Sequence, residues 1–256
     1  MKPKIIHICW FGKDPYPLEI RMCLRTWKRL LPDYKVKVWD YDAAKAIGIK
    51  FIDDALEAKK WAFAADVVRF YAVWKEGGVY MDSDIFLYRR FDDIMDMGDF
   101  VTVNERLNPT REEKFGLQAA FFLGEQGNEF CRRMVSLYES LDFDETLKIM
   151  HDPEKFQTII SPYRMVPVAQ EMGYKMDDTK TQHLEGLTVL PTQYLLPNTN
   201  KWPRAEFTIG MHRCKGSWRK KRKLGRRFEK AMKRYCFIAK YYLIDQWFSY
   251  TDPKKL

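Results

Sequence analysis

The stretch Gly77-Gly78-Val79-Tyr80-Met81-Asp82-Ser83-Asp84-Ile85-Phe86-Leu87 places two carboxylates between apolar segments. Val79–Met81 is predicted as a short buried strand that follows two glycines, and both aspartates stand just past its end, where a turn directs them toward a cleft. Buried carboxylates are unfavourable without a counter-charge, and two of them at i and i+2 suit one hard cation. Asp82 and Asp84 are therefore predicted to hold a divalent cation.

The spacing alone is not specific, because two other aspartate pairs in the chain share it. Asp40 and Asp42 follow a predicted strand but open a short helix, whose amino end they are able to cap. Asp142 and Asp144 follow a predicted surface helix. Only Asp82-Ser83-Asp84 has a glycine pair and a buried strand ahead of it and an apolar run behind it.

The elements around this stretch have an α/β order. Residues 4–10 and 36–39 are predicted as strands, residues 18–31 as a helix, and residues 61–76 show the strongest helical pattern, which the two glycines end. Strand, helix, strand, helices and strand, with long connections, favour parallel pairing. Short helices are predicted near residues 43–47 and 53–58, later strands near 100–103, 119–123, 187–190 and 207–211, and later helices over 128–141 and 162–172.

Length and composition predict one domain. The 256 residues, 46% of them hydrophobic, suffice for a single core. The five cysteines are an odd number without a Cys-x-x-Cys pair, which argues against a disulfide framework or a zinc site and favours a reducing, cytoplasmic setting. No run of 18 or more apolar residues is present, so no membrane-spanning helix is expected.

The net charge of +9 is concentrated at the carboxyl end. Residues 213–256 carry fifteen Lys and Arg against three acids, a surplus of +12, which leaves −3 for residues 1–212. From Leu224 to Tyr242 apolar residues recur at helical spacing among the basic ones, which is typical of a helix that lies on anionic lipid. The alternative is a terminal helix packed on the domain. Nucleic acid is not an expected partner, because no binding motif accompanies the charge.

Several motifs together resemble glycosyltransferase family 32. The resemblance starts at Pro3–Gly12, is strongest at Ala62–Arg69 and Gly77–Asp84, and resumes at Ser161-Pro162 and from His212 to Trp218. It implies a GT-A-type fold, which is one α/β domain with a mixed central sheet over residues 1–218. The basic helical tail of residues 219–256 lies outside the resemblance and is predicted from its charge and apolar spacing.

The resemblance also implies an activity. The expected reaction is transfer of a hexose-type sugar from a nucleotide sugar, a UDP-sugar, to a glycan or lipid-linked acceptor. Mn²⁺ or Mg²⁺ would assist, and the anomeric configuration would be retained. Because bacterial surface polysaccharides such as capsule or lipopolysaccharide grow on lipid carriers, a tail at the inner face of the cell membrane would bring the enzyme to its acceptor.

The resemblance assigns roles to particular residues. Asp66 and Arg69, one helical turn apart, would reach the hydroxyls of the donor sugar, and Trp10 would stack on the nucleobase. The alternatives are a salt bridge on a solvated helix face for the first two and an ordinary core tryptophan for Trp10. His212 would complete the cation site, the alternative being a histidine satisfied in the core, and Arg213 is a candidate for contact with phosphate.

Three expected groups follow from these roles. The expected catalytic residues are Asp66, Arg69, Asp82 and Asp84, with Asp84 coordinating the cation directly and Asp82 contacting it through water or reaching the ribose. The expected metal ligands are Asp82, Asp84 and His212. The expected donor contacts are Ile8, Trp10, Asp42 (beside the nucleoside), Asp66, Arg69, Tyr80, Asp82, Ser83, Gln118 (beside the sugar or acceptor), Ser217 and Trp218 (on the diphosphate).

A metal-dependent phosphohydrolase or nucleotidyltransferase is the alternative enzyme class, since these enzymes also place paired aspartates after a strand. That alternative leaves the Asp66 and Arg69 helix and the Trp10 strand without a role. Turnover of a sugar nucleotide that requires an acceptor distinguishes the two classes.

Overall fold

The computed structural model describes residues 2–106, 116–150, 152, 155–197, 203–213, 235, 236 and 239. The strands are β1 (Ile5–Cys9), β2 (Lys35–Trp39), β3 (Gly78–Met81), β4 (Ile85–Leu87), β5 (Phe100–Glu105), β6 (Gly116–Gly124), β7 (Gln182–Leu184), β8 (Leu187–Leu190), β9 (Leu195–Pro197) and β10 (Gly210–His212). The helices are α1 (Leu18–Leu30), α2 (Tyr41–Lys45), α3 (Lys50–Glu57), α4 (Trp61–Glu76), α5 (Glu129–Glu139), α6 (Phe143–Ile149) and α7 (Ser161–Glu171).

Within these ranges the strands form a large mixed sheet and a small one. The large sheet has the order β2-β1-β3-β6-β5-β8-β7, and the small sheet has the order β4-β10-β9. Strand β1 is parallel to both β2 and β3, whereas β6 is antiparallel to both β3 and β5. The predicted α/β class with a mixed central sheet is confirmed.

The glycine pair lets α4 end and β3 begin within two residues. Gly77 has a φ of 66° and Gly78 a φ of 99°, and a Cβ on Gly78 would lie 2.6 Å from the carbonyl oxygen of Ile5. A side chain at that position would therefore push β3 away from β1. The buried side chain of His7 also fixes the position of Gly77. Its Nε2 donates a hydrogen bond to the Gly77 carbonyl at 2.8 Å, and its Nδ1 accepts one from the Trp39 indole.

Helix α4 is apolar around most of its circumference because it lies between the large sheet and helices α3 and α5. Val67, Val68 and Phe70 are fully buried, and the Phe70 ring stacks on Phe122 of β6 at 5.0 Å. Each such side chain contributes about 1.5–3 kcal/mol to folding. The helix that carries Asp66 and Arg69 is therefore held firmly against the sheet.

Most predicted elements are present, with boundaries shifted by a few residues. The predicted strand over residues 207–211 is wrong in its first half, since β10 begins at Gly210. Thr208 donates its backbone N–H to Ala205 in a turn and its hydroxyl to the Gln193 carbonyl, so the chain becomes extended only afterwards. The short helix α2 begins earlier than predicted because the Asp40 carboxylate caps it by accepting from the Ala43 N–H.

Candidate metal and donor site

The chain crosses from the large sheet to the small one through the aspartate turn. The Asp82 N–H donates to the Ala120 carbonyl of β6 at 2.8 Å, and the Ile85 N–H then donates to the Asp82 carbonyl at 3.0 Å. Strand β4 follows and pairs with β10, so that Ile85 lies opposite His212. This crossing brings both aspartates to a histidine more than 120 residues later in the chain.

Asp82, Asp84 and His212 each offer one ligand atom within 4.8 Å of the others. His212 Nε2 lies 3.4 Å from Asp84 Oδ1 and 3.9 Å from Asp82 Oδ2. Two carboxylates and an imidazole form a donor set that suits a divalent cation such as Mn²⁺. The residues present therefore fit the predicted cation. The alternative of a histidine satisfied within the apolar core does not describe His212, since its ring nitrogen faces the two carboxylates.

Asp82 is oriented by two neighbours. It accepts a hydrogen bond at Oδ1 from the Tyr80 hydroxyl at 2.7 Å, and the same oxygen lies 3.8 Å from Arg69 Nη1. Burial raises the pKa of Tyr80, so this phenol keeps its proton and donates it. Asp82 Oδ2 remains directed toward His212. Asp84 is the more buried of the two carboxylates, with 12% of its side chain exposed against 28% for Asp82.

Asp66 and Arg69 form a buried ion pair beside the aspartates. Arg69 Nη2 lies 3.0 Å from Asp66 Oδ1, and the two side chains are only 7% and 14% exposed, so the solvated-face alternative is wrong. Arg69 also donates from Nε to the Ala65 carbonyl and from Nη1 to the Ala119 carbonyl at 2.6 Å. Arg69 thus joins α4 to β6 and orients Asp66. Its contact with the donor sugar stays a prediction.

Asp66 has further neighbours that sequence reasoning missed. Burial raises the pKa of Asp66, while the Arg69 charge and a hydrogen bond from Ser161 oppose that shift. Ser161 begins α7, and its hydroxyl is also hydrogen-bonded to the buried Tyr138 hydroxyl of α5 at 2.6 Å. The motif Ser161-Pro162 was visible in the sequence, but nothing local indicated which side chain it would meet.

Gln118 of β6 carries an unsatisfied polar group. Its side chain is 1% exposed, and its Oε1 accepts from the Ala120 N–H at 3.2 Å. Its Nε2 has no hydrogen-bond partner among the described residues. A buried amide without a partner costs about 1–3 kcal/mol, which favours a position where a ligand supplies the acceptor. Ala120 also accepts from Asp82, so Gln118 lies two residues from the contact that holds the aspartate turn.

Trp10 and Asp42 follow the carboxyl ends of the parallel strands β1 and β2. Trp10 is half-buried, its Nε1 donates to the Asp14 carbonyl at 3.0 Å, and its ring lies 4.6 Å from that of Tyr16. The alternative of an ordinary core tryptophan is therefore wrong. Asp42 is exposed in the first turn of α2. Their contacts with a nucleoside stay predictions.

The side chain of Ile8 is buried in the apolar core on the α1 side of the large sheet. The contact of Ile8 with the donor stays a prediction. Ser83 stands in the turn between the two aspartates and is half-buried. The Arg213 guanidinium forms an ion pair with Glu19 at 3.1 Å. Its predicted contact with phosphate would therefore have to be made alongside this ion pair.

Two groups of predictions fall on residues outside those described. Ser217 and Trp218, predicted on the diphosphate, lie there, as does nearly all of the tail over residues 219–256 together with its boundary at residue 218. Of the tail, Tyr235 and Cys236 are described as helical and exposed. A search of the described residues finds no helix with the length and hydropathy that crossing a bilayer requires.

Comparison with known proteins identifies related sequences. A family model described as "Glycosyltransferase sugar-binding region containing DXD motif" matches residues 17–101. An uncharacterized glycosyltransferase of Acanthamoeba polyphaga mimivirus is 28% identical over 114 residues, which are 42% of this chain and 45% of that protein. The match thus spans less than half the length of that curated relative.

Solved structures give looser likenesses. PaToxG glycosyltransferase matches with a TM-score of 0.49 and 16% identity over 67% of this chain and 70% of its own. The galactosyltransferase LgtC, in complex with donor and acceptor sugar analogs, matches with a TM-score of 0.44 and 10% identity over 82% of this chain and 87% of its own.

The match of residues 17–101 to the family model includes α4 and both aspartates of the turn. Over these residues the chain is similar to the DXD-containing glycosyltransferase sugar-binding region.

Proposed function

We propose that this protein is a metal-dependent glycosyltransferase that moves a hexose-type sugar from a UDP-sugar to a glycan or lipid-linked saccharide, with retention of anomeric configuration. The observation that carries the proposal is the group of Asp82, Asp84 and His212, which stands where β3, β4 and β10 meet. Both aspartates lie inside the segment that the family model matches, and His212 lies on β10, opposite β4 of that segment. The choice of UDP, of a hexose and of retention rests on the sequence resemblance alone.

The roles of the residues follow from their surroundings. Asp84 and His212 would hold the cation, and Asp82, oriented by Tyr80 and Arg69, would be the third ligand. A bound cation supplies positive charge to the diphosphate as the anomeric bond breaks. Removal of the cation with a chelator is therefore expected to abolish turnover.

The donor sugar would be held by residues next to the aspartate turn. Asp66 would accept a hydrogen bond from a sugar hydroxyl, and its ion pair with Arg69 orients it and opposes the rise in its pKa that burial causes. Gln118 Nε2 would donate to a sugar or acceptor oxygen, which would satisfy the unpaired amide. Trp10 would stack on the nucleobase at the end of β1.

The reaction class is tested by the requirement for an acceptor. Purified protein, Mn²⁺ and each of a panel of UDP-sugars are incubated with and without bacterial lipid-linked saccharides or glycans, and released UDP is measured. A glycosyltransferase releases UDP much faster with its acceptor and forms a glycosidic product. A phosphohydrolase would release phosphate or nucleoside monophosphate at the same rate without acceptor, and that result would overturn the proposal.

We also propose that the basic tail brings the protein to the inner face of the cell membrane. The support is the surplus of +12 over residues 213–256, since each basic residue near an anionic surface contributes about 1 kcal/mol. The intact protein is expected to co-sediment with phosphatidylglycerol vesicles at low salt, less at high salt, and not with phosphatidylcholine vesicles. Equal recovery in the supernatant with both lipids at low salt contradicts the membrane proposal and leaves the proposed reaction unaffected.

A further inference from the structure

Arg213 connects the candidate cation site to helix α1 at two points. Its backbone N–H donates to the Asp84 carbonyl at 3.1 Å, so the end of β10 is bonded to the aspartate turn itself. Its guanidinium Nη2 lies 3.1 Å from Glu19 Oε1, and both side chains are 9% exposed. Glu19 stands in the first turn of α1, 194 residues away along the chain.

Helix α1 also holds the strand that follows the aspartates. The Trp27 indole N–H donates to the Ile85 carbonyl at 2.8 Å, and the Thr26 hydroxyl accepts from the Leu87 N–H at 3.1 Å. These bonds fix β4, which begins right after Asp84. The same helix therefore holds β4, which directly follows the two aspartates, through Thr26 and Trp27, and holds the end of β10, which carries His212, through Glu19.

A buried ion pair of this kind is better suited to fixing geometry than to adding stability. Removing two charges from water costs several kcal/mol per ion, which mutual attraction offsets only with good geometry. Arg213 immediately follows His212, whose ring nitrogen lies 3.4 Å from Asp84 Oδ1. A shift of the Arg213 backbone would move His212 away from the aspartates.

We propose that Glu19 is a positioning residue that acts through Arg213 to hold His212 against Asp84, and so sets the affinity of the site for a divalent cation. Glu19 itself does not reach the site in this account. The inference rests on the cation site of the proposed function, and deepens it by assigning a residue that neither spacing nor family motif indicates.

A double-mutant cycle on the full-length chain tests this proposal through metal binding. The Mn²⁺ dissociation constant is measured by calorimetry for the wild type, Glu19→Gln, His212→Gln and the double variant. Partners in direct contact with metal ligands typically alter metal affinity 10–100-fold. Because Glu19 acts one contact further away, through Arg213, Glu19→Gln is expected to weaken binding by the lower end of that range, about 10-fold. In the His212→Gln background the same substitution is expected to change affinity less than about twofold, since its effect passes through His212.

Three results would overturn the proposal. One is wild-type affinity in Glu19→Gln, and another is a loss in the double variant equal to the product of the two single losses. The third comes from Glu19→Leu/Arg213→Met, which removes both buried charges and avoids an unpaired one. If this variant binds Mn²⁺ like the wild type, the effect of Glu19→Gln was due to the unpaired Arg213 charge. The proposal expects about 10-fold weaker binding here as well.

The matched control is Glu171→Gln, which breaks the exposed ion pair with Arg133 and should leave the Mn²⁺ affinity unchanged. Thermal unfolding of each metal-free variant confirms that it is folded at the temperature of the binding measurement. If the wild type itself binds no Mn²⁺, the proposed function fails rather than the role of Glu19, so the two failures are distinguishable.

Discussion

Asp84→Asn is expected to lower transfer by at least about 10²-fold and to weaken Mn²⁺ binding strongly, because it removes a charged ligand atom without changing the packing volume. The metal-free protein is expected to keep its unfolding temperature or to gain slightly, since the substitution removes one of two neighbouring carboxylates that lack a cation in that state. Initial rates at several Mn²⁺ concentrations, together with thermal unfolding, measure both effects.

Asp144→Asn is the matched control for that experiment. Asp144 belongs to a pair with the same spacing, but it is exposed in the first turn of α6 and is not part of the group of possible metal ligands found among the described residues. Its substitution should leave transfer and Mn²⁺ affinity unchanged. Wild-type turnover of Asp84→Asn at saturating Mn²⁺ would contradict the assigned role of the aspartate turn.

Arg69→Lys is expected to lower kcat/KM by about 10²-fold or more, although it conserves the charge. Lysine presents a single ammonium group and does not reproduce the fork by which Arg69 contacts the Ala65 and Ala119 carbonyls and Asp66 at once. Leaving a buried carbonyl without its donor costs about 1–3 kcal/mol of unfolding free energy. Denaturant unfolding and steady-state kinetics on the same preparation separate the loss of stability from the loss of activity.

Arg133→Lys serves as the control, because Arg133 lies on the surface of α5 and pairs with Glu129 of the same helix and with Glu171 at the end of α7. It should change stability by less than about 1 kcal/mol and leave the kinetics intact. If Arg69→Lys is folded and has a normal rate and donor affinity, then Asp66 and Arg69 form only a structural ion pair, and the donor sugar is held elsewhere.

The large sheet and its principal helix could be predicted because their signals are local. The apolar pattern of α4 ends at Gly77-Gly78, where positive φ angles and the close approach of β1 require glycine, so one short segment defines both a helix end and a strand start. The two aspartates of the candidate cation site were identified for the same reason, whereas His212 was assigned by the family resemblance. The residue types and flanking strands of the aspartates are readable without knowledge of distant contacts.

The pairing of the small sheet and the surroundings of the ligands could not be predicted in this way. Strands β4, β9 and β10 have three residues each, too few for a periodic pattern, and β10 pairs with a strand more than 120 residues earlier. The contacts of Ser161 with Tyr138 and of Glu19 with Arg213 join elements far apart in the chain. Such pairs depend on the packing of whole elements, which no local spacing encodes.

The central claim, that Asp82, Asp84 and His212 hold a cation against the diphosphate of a nucleotide sugar, is tested most directly by a panel of thermal-unfolding measurements. The unfolding temperature is recorded with each nucleotide sugar, with Mn²⁺, and with both together. A ligand at about 100 times its dissociation constant adds about 2.7 kcal/mol of stability. The account predicts that at least one nucleotide sugar raises the unfolding temperature markedly with Mn²⁺ and little without it, and that Asp84→Asn loses this increase. If no nucleotide sugar stabilises the wild type with any divalent cation, or if one stabilises it equally in the presence of a chelator, the claim is contradicted.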